Sequence, residues 1–222
     1  MPLDPAYKAG SRGMKPVKES RKRTNTMKKL VLASRSPRRR QLLRTLGIHF
    51  IAEESGFHEI DHAGDAPGQH VQDNALGKAR AIACLHMNAL VIGADTVVVY
   101  RQRVLGKPEN MAEALEYLRL LQGKTHAVYT GLGIIDTKEN IAVADYEKTL
   151  VTMRSLSDKE IRAYLANIEP LDKAGAYAIQ GAGAVIVKKI SGCYYNVVGF
   201  PIARLEELLL RLKTSIFSYM KV

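Results

Sequence analysis

Three stretches of this 222-residue chain carry residue types suited to phosphate chemistry. The first is Ser34-Arg35-Ser36-Pro37-Arg38-Arg39-Arg40. It falls between an apolar strand-like run, Leu30 to Ala33, and a helix start announced by Ser36 at the cap and Pro37 in the first turn. Unpaired backbone N–H groups and the positive dipole end favour an anion there, and guanidiniums add bidentate phosphate donors. The alternative reading is a basic, solvated helix start. The second stretch is Gly93-Ala94-Asp95-Thr96, where an apolar strand from Leu90 leads to a carboxylate. This reads as a charge at the end of a strand, where α/β proteins build sites, able to hold a hard divalent cation or activate water. A simple cap or turn role for Asp95 is the alternative. The third group is Lys78, Lys107 in Gly106-Lys107-Pro108, and Lys173 in Asp172-Lys173-Ala174-Gly175. Each taken alone also reads as a surface lysine.

Two familiar phosphate motifs are absent. Gly123-Lys124-Thr125 ends like a P-loop, but Leu118 stands where that motif needs glycine, and helix precedes strand instead of following it. Gly131-x-Gly133 and Gly181-x-Gly183 lack the third glycine of a dinucleotide fingerprint, so a Rossmann oxidoreductase is disfavoured as well. The histidines show no metal-binding spacing, and Cys84 and Cys193 form neither a CxxC pair nor a disulfide framework. A reducing, cytoplasmic setting is the simpler expectation. No apolar run approaches the length of a membrane span.

The elements that must position these residues alternate strand and helix. A helix is expected from about Val71 to His86, another from an Asn110 cap to Gln122, and a third from the capping box at Ser157–Glu160 to Asn167. Thr125–Ile135 and Ile141–Arg154 read as a β-hairpin, with further strands around Ala174–Ile179 and Ala184–Ile190 and a last helix from near Pro201. This pattern predicts an α/β fold with a mixed sheet and flanking helices.

The net charge is +11, from 33 Lys+Arg against 22 Asp+Glu, and residues 1–29 carry +7 of it. That stretch is poor in apolar residues and lacks a secretory apolar region, so residues 1–26 are expected to be a disordered basic extension before one domain at 27–222. A solvated tail is the plain reading, and a nucleic-acid-binding arm is the alternative.

Taken together, the motifs resemble the Maf family of nucleotide pyrophosphatases, once described as septum-formation proteins. The resemblance runs from about Met27 to Leu212 on Leu32-Ala33-Ser34-x-Ser36-Pro37-Arg38-Arg39, Lys78-Ala79, Ile92-Gly93-Ala94-Asp95-Thr96-Val97-Val98 and Gly106-Lys107-Pro108. It continues through Thr125-His126-x-Val128-x-Thr130-Gly131, Glu169-Pro170-Leu171-Asp172-Lys173-Ala174-Gly175-Ala176-Tyr177, Ile179-Gln180-Gly181 and Val197-Val198-Gly199-Phe200-Pro201. It implies an inosine-triphosphatase-like fold with two lobes around a deep cleft. It also implies hydrolysis of dTTP and UTP to the monophosphate and pyrophosphate, with Mg²⁺ or Mn²⁺ as cofactor and a homodimer as a possible assembly. By the same resemblance Asp95 is the proton acceptor, assisted by Lys78 and Lys107, and Glu59 is its metal partner. Ser34, Arg38, Arg39, Thr96, Lys173 and Gln180 would contact substrate, with Arg38, Thr96 and Gln180 at positions tied to pyrimidine choice. The chain departs from the family pattern at His58, where an acidic residue is usual, at Ala178 and Phe200, and at Asn74, where an arginine is common. A competing reading, a regulator of cell division that binds nucleic acid through its basic tail, predicts steeply salt-dependent binding lost when residues 1–26 are deleted.

Overall fold

A computed structural model describes residues 27–60 and 66–221 of the chain, so the expected basic extension at 1–26 lies outside the described residues. Among these residues seven strands form one mixed sheet: β1 (Lys29–Ala33), β2 (Ile51–Glu53), β3 (Ala89–Tyr100), β4 (Arg103–Leu105), β5 (Thr125–Asp136), β6 (Ile141–Met153) and β7 (Val187–Ser191). Their order is β2-β1-β3-β5-β6-β7, with β4 paired to β3 beside that path. The first three strands in space run parallel, whereas β3, β5, β6 and β7 pair antiparallel. Among the described residues six α-helices accompany the sheet: α1 (Pro37–Thr45), α2 (Pro67–Ala83), α3 (Met111–Leu121), α4 (Asp158–Leu165), α5 (Tyr194–Val198) and α6 (Ile202–Arg211). The α/β fold with a mixed sheet and flanking helices is therefore as the sequence pattern requires. Among the described residues no helix is long and apolar enough to cross a membrane.

Local chemistry sets most boundaries. Pro37 opens α1 and Gly47, at φ 68°, closes it. Ser36 occupies the cap position without a side-chain cap bond; its own N–H donates to Ser34 Oγ at 3.2 Å. Asn110 caps α3 by accepting from the Glu113 N–H, and Ser157 and Glu160 form the expected capping box on α4.

Several boundaries depart from the pattern reading. Helix α2 begins at Pro67 rather than Val71 and ends at Ala83, because proline in the first turn starts it without a polar cap. The expected strand at Ala174–Ile179 is not formed. Gly175 and Ala176 take φ values of 67° and 62°, which no strand accommodates, and the chain makes a 3₁₀ turn there. A second 3₁₀ turn, Gly181–Val185, delays β7 to Val187. The short elements β2, β4 and α5 carry too little periodicity to be read from sequence.

Asp95 is the most consequential correction. It stands inside β3, whose twelve residues continue through Thr96-Val97-Val98-Val99-Tyr100, and not at a strand end. On one face of β3, Leu90, Ile92 and Ala94 belong to an apolar cluster with Leu132, Phe200 and Leu208, while Val98 and Tyr100 belong to another with Leu118, Val128 and Ile161. Asp95 and Thr96 lie where the strand passes from the first cluster to the second. On the opposite face α2 crosses the sheet at backbone contact. A Cβ on Gly93 would sit 2.0 Å from the Ala75 carbonyl oxygen, and one on Gly131 would sit 2.2 Å from that of Val71. Only glycine permits that approach.

Candidate active site

A cavity of about 720 Å³ receives every residue singled out above: Ser34, Arg38, Arg39, Glu59, Lys78, Asp95, Thr96, Lys107, Lys173 and Gln180. They arrive from the end of β1, the first turn of α1, the loop after β2, α2, β3, the loop after β4, and the segment before the second 3₁₀ turn. Val98, Val128, Tyr177 and Val197 supply apolar lining. Its size suits a small-molecule ligand.

At its floor an ammonium holds two carboxylates. Lys78 Nζ donates to Asp95 Oδ1 at 2.6 Å, to Glu59 Oε1 at 2.7 Å and to the Ala94 carbonyl at 3.4 Å, using the three donors a lysine has. Lys107 Nζ donates to the same Glu59 oxygen at 3.2 Å. The Lys78 and Asp95 side chains are only 10% and 6% exposed. Burial alone would raise the Glu59 carboxyl, but the charges and hydrogen bonds of Lys78 and Lys107 prevail and hold it at about 2. Glu59 is therefore ionised at neutral pH.

The arginine run divides by role. Arg38 faces the cavity, with Nη1 donating to Asp172 Oδ2 at 2.9 Å and Nη2 to the Asp172 carbonyl at 3.2 Å. Asp172 also pairs with Lys173, which donates as well to the Glu169 carbonyl. Arg39 turns inward. It donates to the carbonyls of Gly199 (2.8 Å) and Ala94 (2.9 Å), to Thr96 Oγ1 (3.0 Å) and to Ser34 Oγ (3.3 Å). Burial pushes its guanidinium down to about 10, opposed by the charge of Asp95, so it stays charged at neutral pH. Arg40 folds back on the Ser34 carbonyl, and Arg35 pairs with Glu54. Of the expected phosphate fork, then, Arg38 keeps the outward position, and Arg39 braces the walls.

That brace extends inward. Thr96 Oγ1 lies 3.0 Å from Thr130 Oγ1, Thr130 donates to the Asn196 carbonyl at 3.0 Å, and the Asn196 amide donates to the Val128 carbonyl (3.0 Å) and Thr149 Oγ1 (2.9 Å). Beneath the Lys173–Gln180 segment, His126 Nε2 and the Tyr177 hydroxyl are 2.7 Å apart. Burial lowers His126 to about 4 and raises Tyr177. Gln180 is exposed at the cavity edge.

Glu59 and Asp95 were expected to hold a metal. Their oxygens converge on the Lys78 ammonium, and hard anionic donors of this type suit Mg²⁺ or Mn²⁺, which complete their coordination with waters and phosphate oxygens. Among the described residues no group of three or more His, Cys, Asp or Glu side chains is placed to hold a metal without such help. The donor set has the chemistry for such a metal, with the Lys78 ammonium standing between the two carboxylates.

Sequence reasoning assigned no role to two residues that the geometry brings in. Asp172 orients both Arg38 and Lys173, and its place inside a quoted motif was a usable signal. Asn74, noted only as a departure from the family pattern, contacts both Asp95 and the backbone beside Glu59.

A profile of the family described as Maf-like protein matches residues 29–212. The dTTP/UTP pyrophosphatase of Bacillus mycoides (strain KBAB4) is 51% identical over 179 residues, covering 81% of this chain and 93% of the relative. That of Pelotomaculum thermopropionicum is 50% identical over 183 residues, 82% of this chain and 96% of the relative. The one from Moorella thermoacetica is 49% identical over 183 residues, 82% and 94% of the two chains. A profile match across nearly the whole described fold, joined to such identities over most of each relative, means that the chain belongs to the Maf family.

Proposed function

We propose that this protein hydrolyses dTTP and UTP to the nucleoside monophosphate and pyrophosphate. The observation that carries the reading is one cavity lined by Arg38, Lys78, Lys107 and Lys173 together with the carboxylates of Glu59 and Asp95, which Lys78 bridges. A triphosphate needs several cations, and the charge that develops on departing pyrophosphate is best met by cations already in place.

In this mechanism Asp95 orients a water against the α-phosphorus and accepts its proton. A bond forms from the water oxygen to that phosphorus, and the bond to the α,β-bridging oxygen breaks as pyrophosphate leaves. Asp95 keeps acceptor capacity for this while bound to Lys78, since each carboxylate oxygen has two lone pairs. Lys78 and Lys107 exchange part of their hold on Glu59 for phosphate oxygens, and Arg38 and Lys173 bind the far end of the chain of phosphates. A divalent cation held by Glu59 and Asp95 would neutralise phosphate charge at this point. The apolar lining by Val98, Val128 and Val197 accepts a base, and the Gln180 carboxamide, donor and acceptor together, reads a pyrimidine imide edge. Such a substrate belongs to the cytoplasmic nucleotide pool.

The test is a panel of nucleoside triphosphates, with released pyrophosphate measured with and without Mg²⁺. Mg²⁺-dependent release that is fastest with UTP and dTTP is the expected result. Release of orthophosphate alone, or preference for a purine triphosphate, contradicts the proposal.

A further inference from the structure

We propose that Asn74 is a positioning residue that fixes the separation of Glu59 and Asp95. It is 1% exposed and lies on α2 one turn before Lys78, on the face that meets β3. Its Oδ1 accepts from the Ile60 N–H at 2.9 Å, and its Nδ2 donates to the Ile60 carbonyl at 3.2 Å. Both backbone groups of the residue after Glu59 are thus clamped by one carboxamide. The same Nδ2 lies 3.4 Å from Asp95 Oδ2 and 3.3 Å from His70 Nε2. One buried side chain therefore touches one carboxylate directly and fixes the backbone beside the other.

The clamp matters because of what else holds Glu59. Residues 54–60 form no helix or strand, and the Glu59 side chain is 44% exposed. Its ionic tethers are Lys78 and Lys107, the same cations that a polyanion would recruit. When those turn towards phosphate, the neutral clamp on Ile60 remains, together with the Phe57 ring lying over Gly77. An aspartate here would keep the acceptor and lose the donor, and a leucine would lose both. The role in turnover rests on the pyrophosphatase reading; the clamp itself does not.

The experiment uses the full chain with Asn74→Leu, Asn74→Asp and Glu59→Gln, alone and combined, read by amide hydrogen exchange and by steady-state kinetics. In Asn74→Leu, exchange across residues 54–60 is expected to rise about 10-fold while α2 and β3 keep their protection. The kcat is expected to fall about 10- to 100-fold with a smaller change in KM. In the Glu59→Gln background the same replacement should cost several-fold less, because only the direct contact with Asp95 is then left to lose. Asn74→Asp keeps the side chain's shape and its acceptor for the Ile60 N–H but sets a second carboxylate beside Asp95, so it should raise exchange at residues 54–60 less than leucine does, and that exchange readout carries the test if the leucine variant does not fold. Unchanged exchange at residues 54–60, a uniform rise across the molecule, or an equal kcat loss in both backgrounds overturns the proposal. A wild-type protein that hydrolyses no triphosphate contradicts the pyrophosphatase reading instead, and leaves the exchange experiment to decide the clamp.

Discussion

Lys78 and Asp95 meet at 2.6 Å because Gly93 and Gly131 let α2 lie directly on the sheet. With a side chain at either glycine the helix would stand off, and the Lys78 ammonium would lose its reach to a carboxylate in the middle of β3. A buried carboxylate without a partner costs several kcal/mol, so the fold has to supply a cation at that point. Lys78 is that cation, and it also draws Glu59 in from its exposed loop. The charged floor of the cavity is therefore a consequence of helix-on-strand packing.

The two neighbouring arginines should separate cleanly. Arg39→Lys replaces a planar fork by a point charge that cannot meet the Gly199, Ala94 and Thr96 acceptors together. A loss of about 2–3 kcal/mol is expected, lowering Tm by roughly 5–10 °C in a thermal melt. Arg38→Lys, at the partly open pair with Asp172, should leave Tm within about 2 °C and raise KM for the triphosphate. Equal Tm values for the two variants would remove the assignment of Arg39 as the brace.

His126 predicts an acid-side loss of stability. Burial lowers its folded value to about 4 from the usual 6.5, so the unfolded chain binds the proton more readily. The corresponding stability is fully present above pH 6.5 and drains away as pH falls through about 4. It amounts to something on the order of 3 kcal/mol. Denaturant titrations between pH 7 and 4 should show this slope in the wild type and a flatter one in His126→Gln. Parallel slopes would show that His126 does not cause it.

Gln180→Glu removes an amide donor and adds a charge at the cavity edge. The expected outcome is a fall of about 10-fold or more in the preference for UTP and dTTP over a purine triphosphate, measured as kcat/KM ratios. An unchanged ranking would remove Gln180 from base recognition.

The fold was legible wherever local chemistry was strong. Ser157 with Glu160, Asn110 with Gly123, and the β5–β6 hairpin announced themselves through capping and alternation. Asp95 was found as a residue but misplaced, because a charge after an apolar run reads as an end when no helix is known to cover it. Tertiary contacts, chiefly that of Lys78, make a mid-strand carboxylate tolerable. The Lys173–Gln180 segment has strand-like composition, but two consecutive left-handed residues at Gly175 and Ala176 overrode it. The candidate site residues were proposed through motif resemblance, and all of them line one cavity. Their division of labour was not legible, because the outward turn of Arg38, the inward turn of Arg39 and the reach of Asn74 depend on partners more than thirteen residues away in sequence.

The account rests on Asp95 as the group that takes a proton from water. The most direct measurement is kcat for pyrophosphate release from UTP by Asp95→Asn, made on protein whose circular dichroism matches the wild type. The substitution keeps the shape of the side chain and removes its basicity, so kcat should fall by about 10²- to 10⁴-fold. Turnover within about 3-fold of the wild type, in a folded variant, would contradict the account.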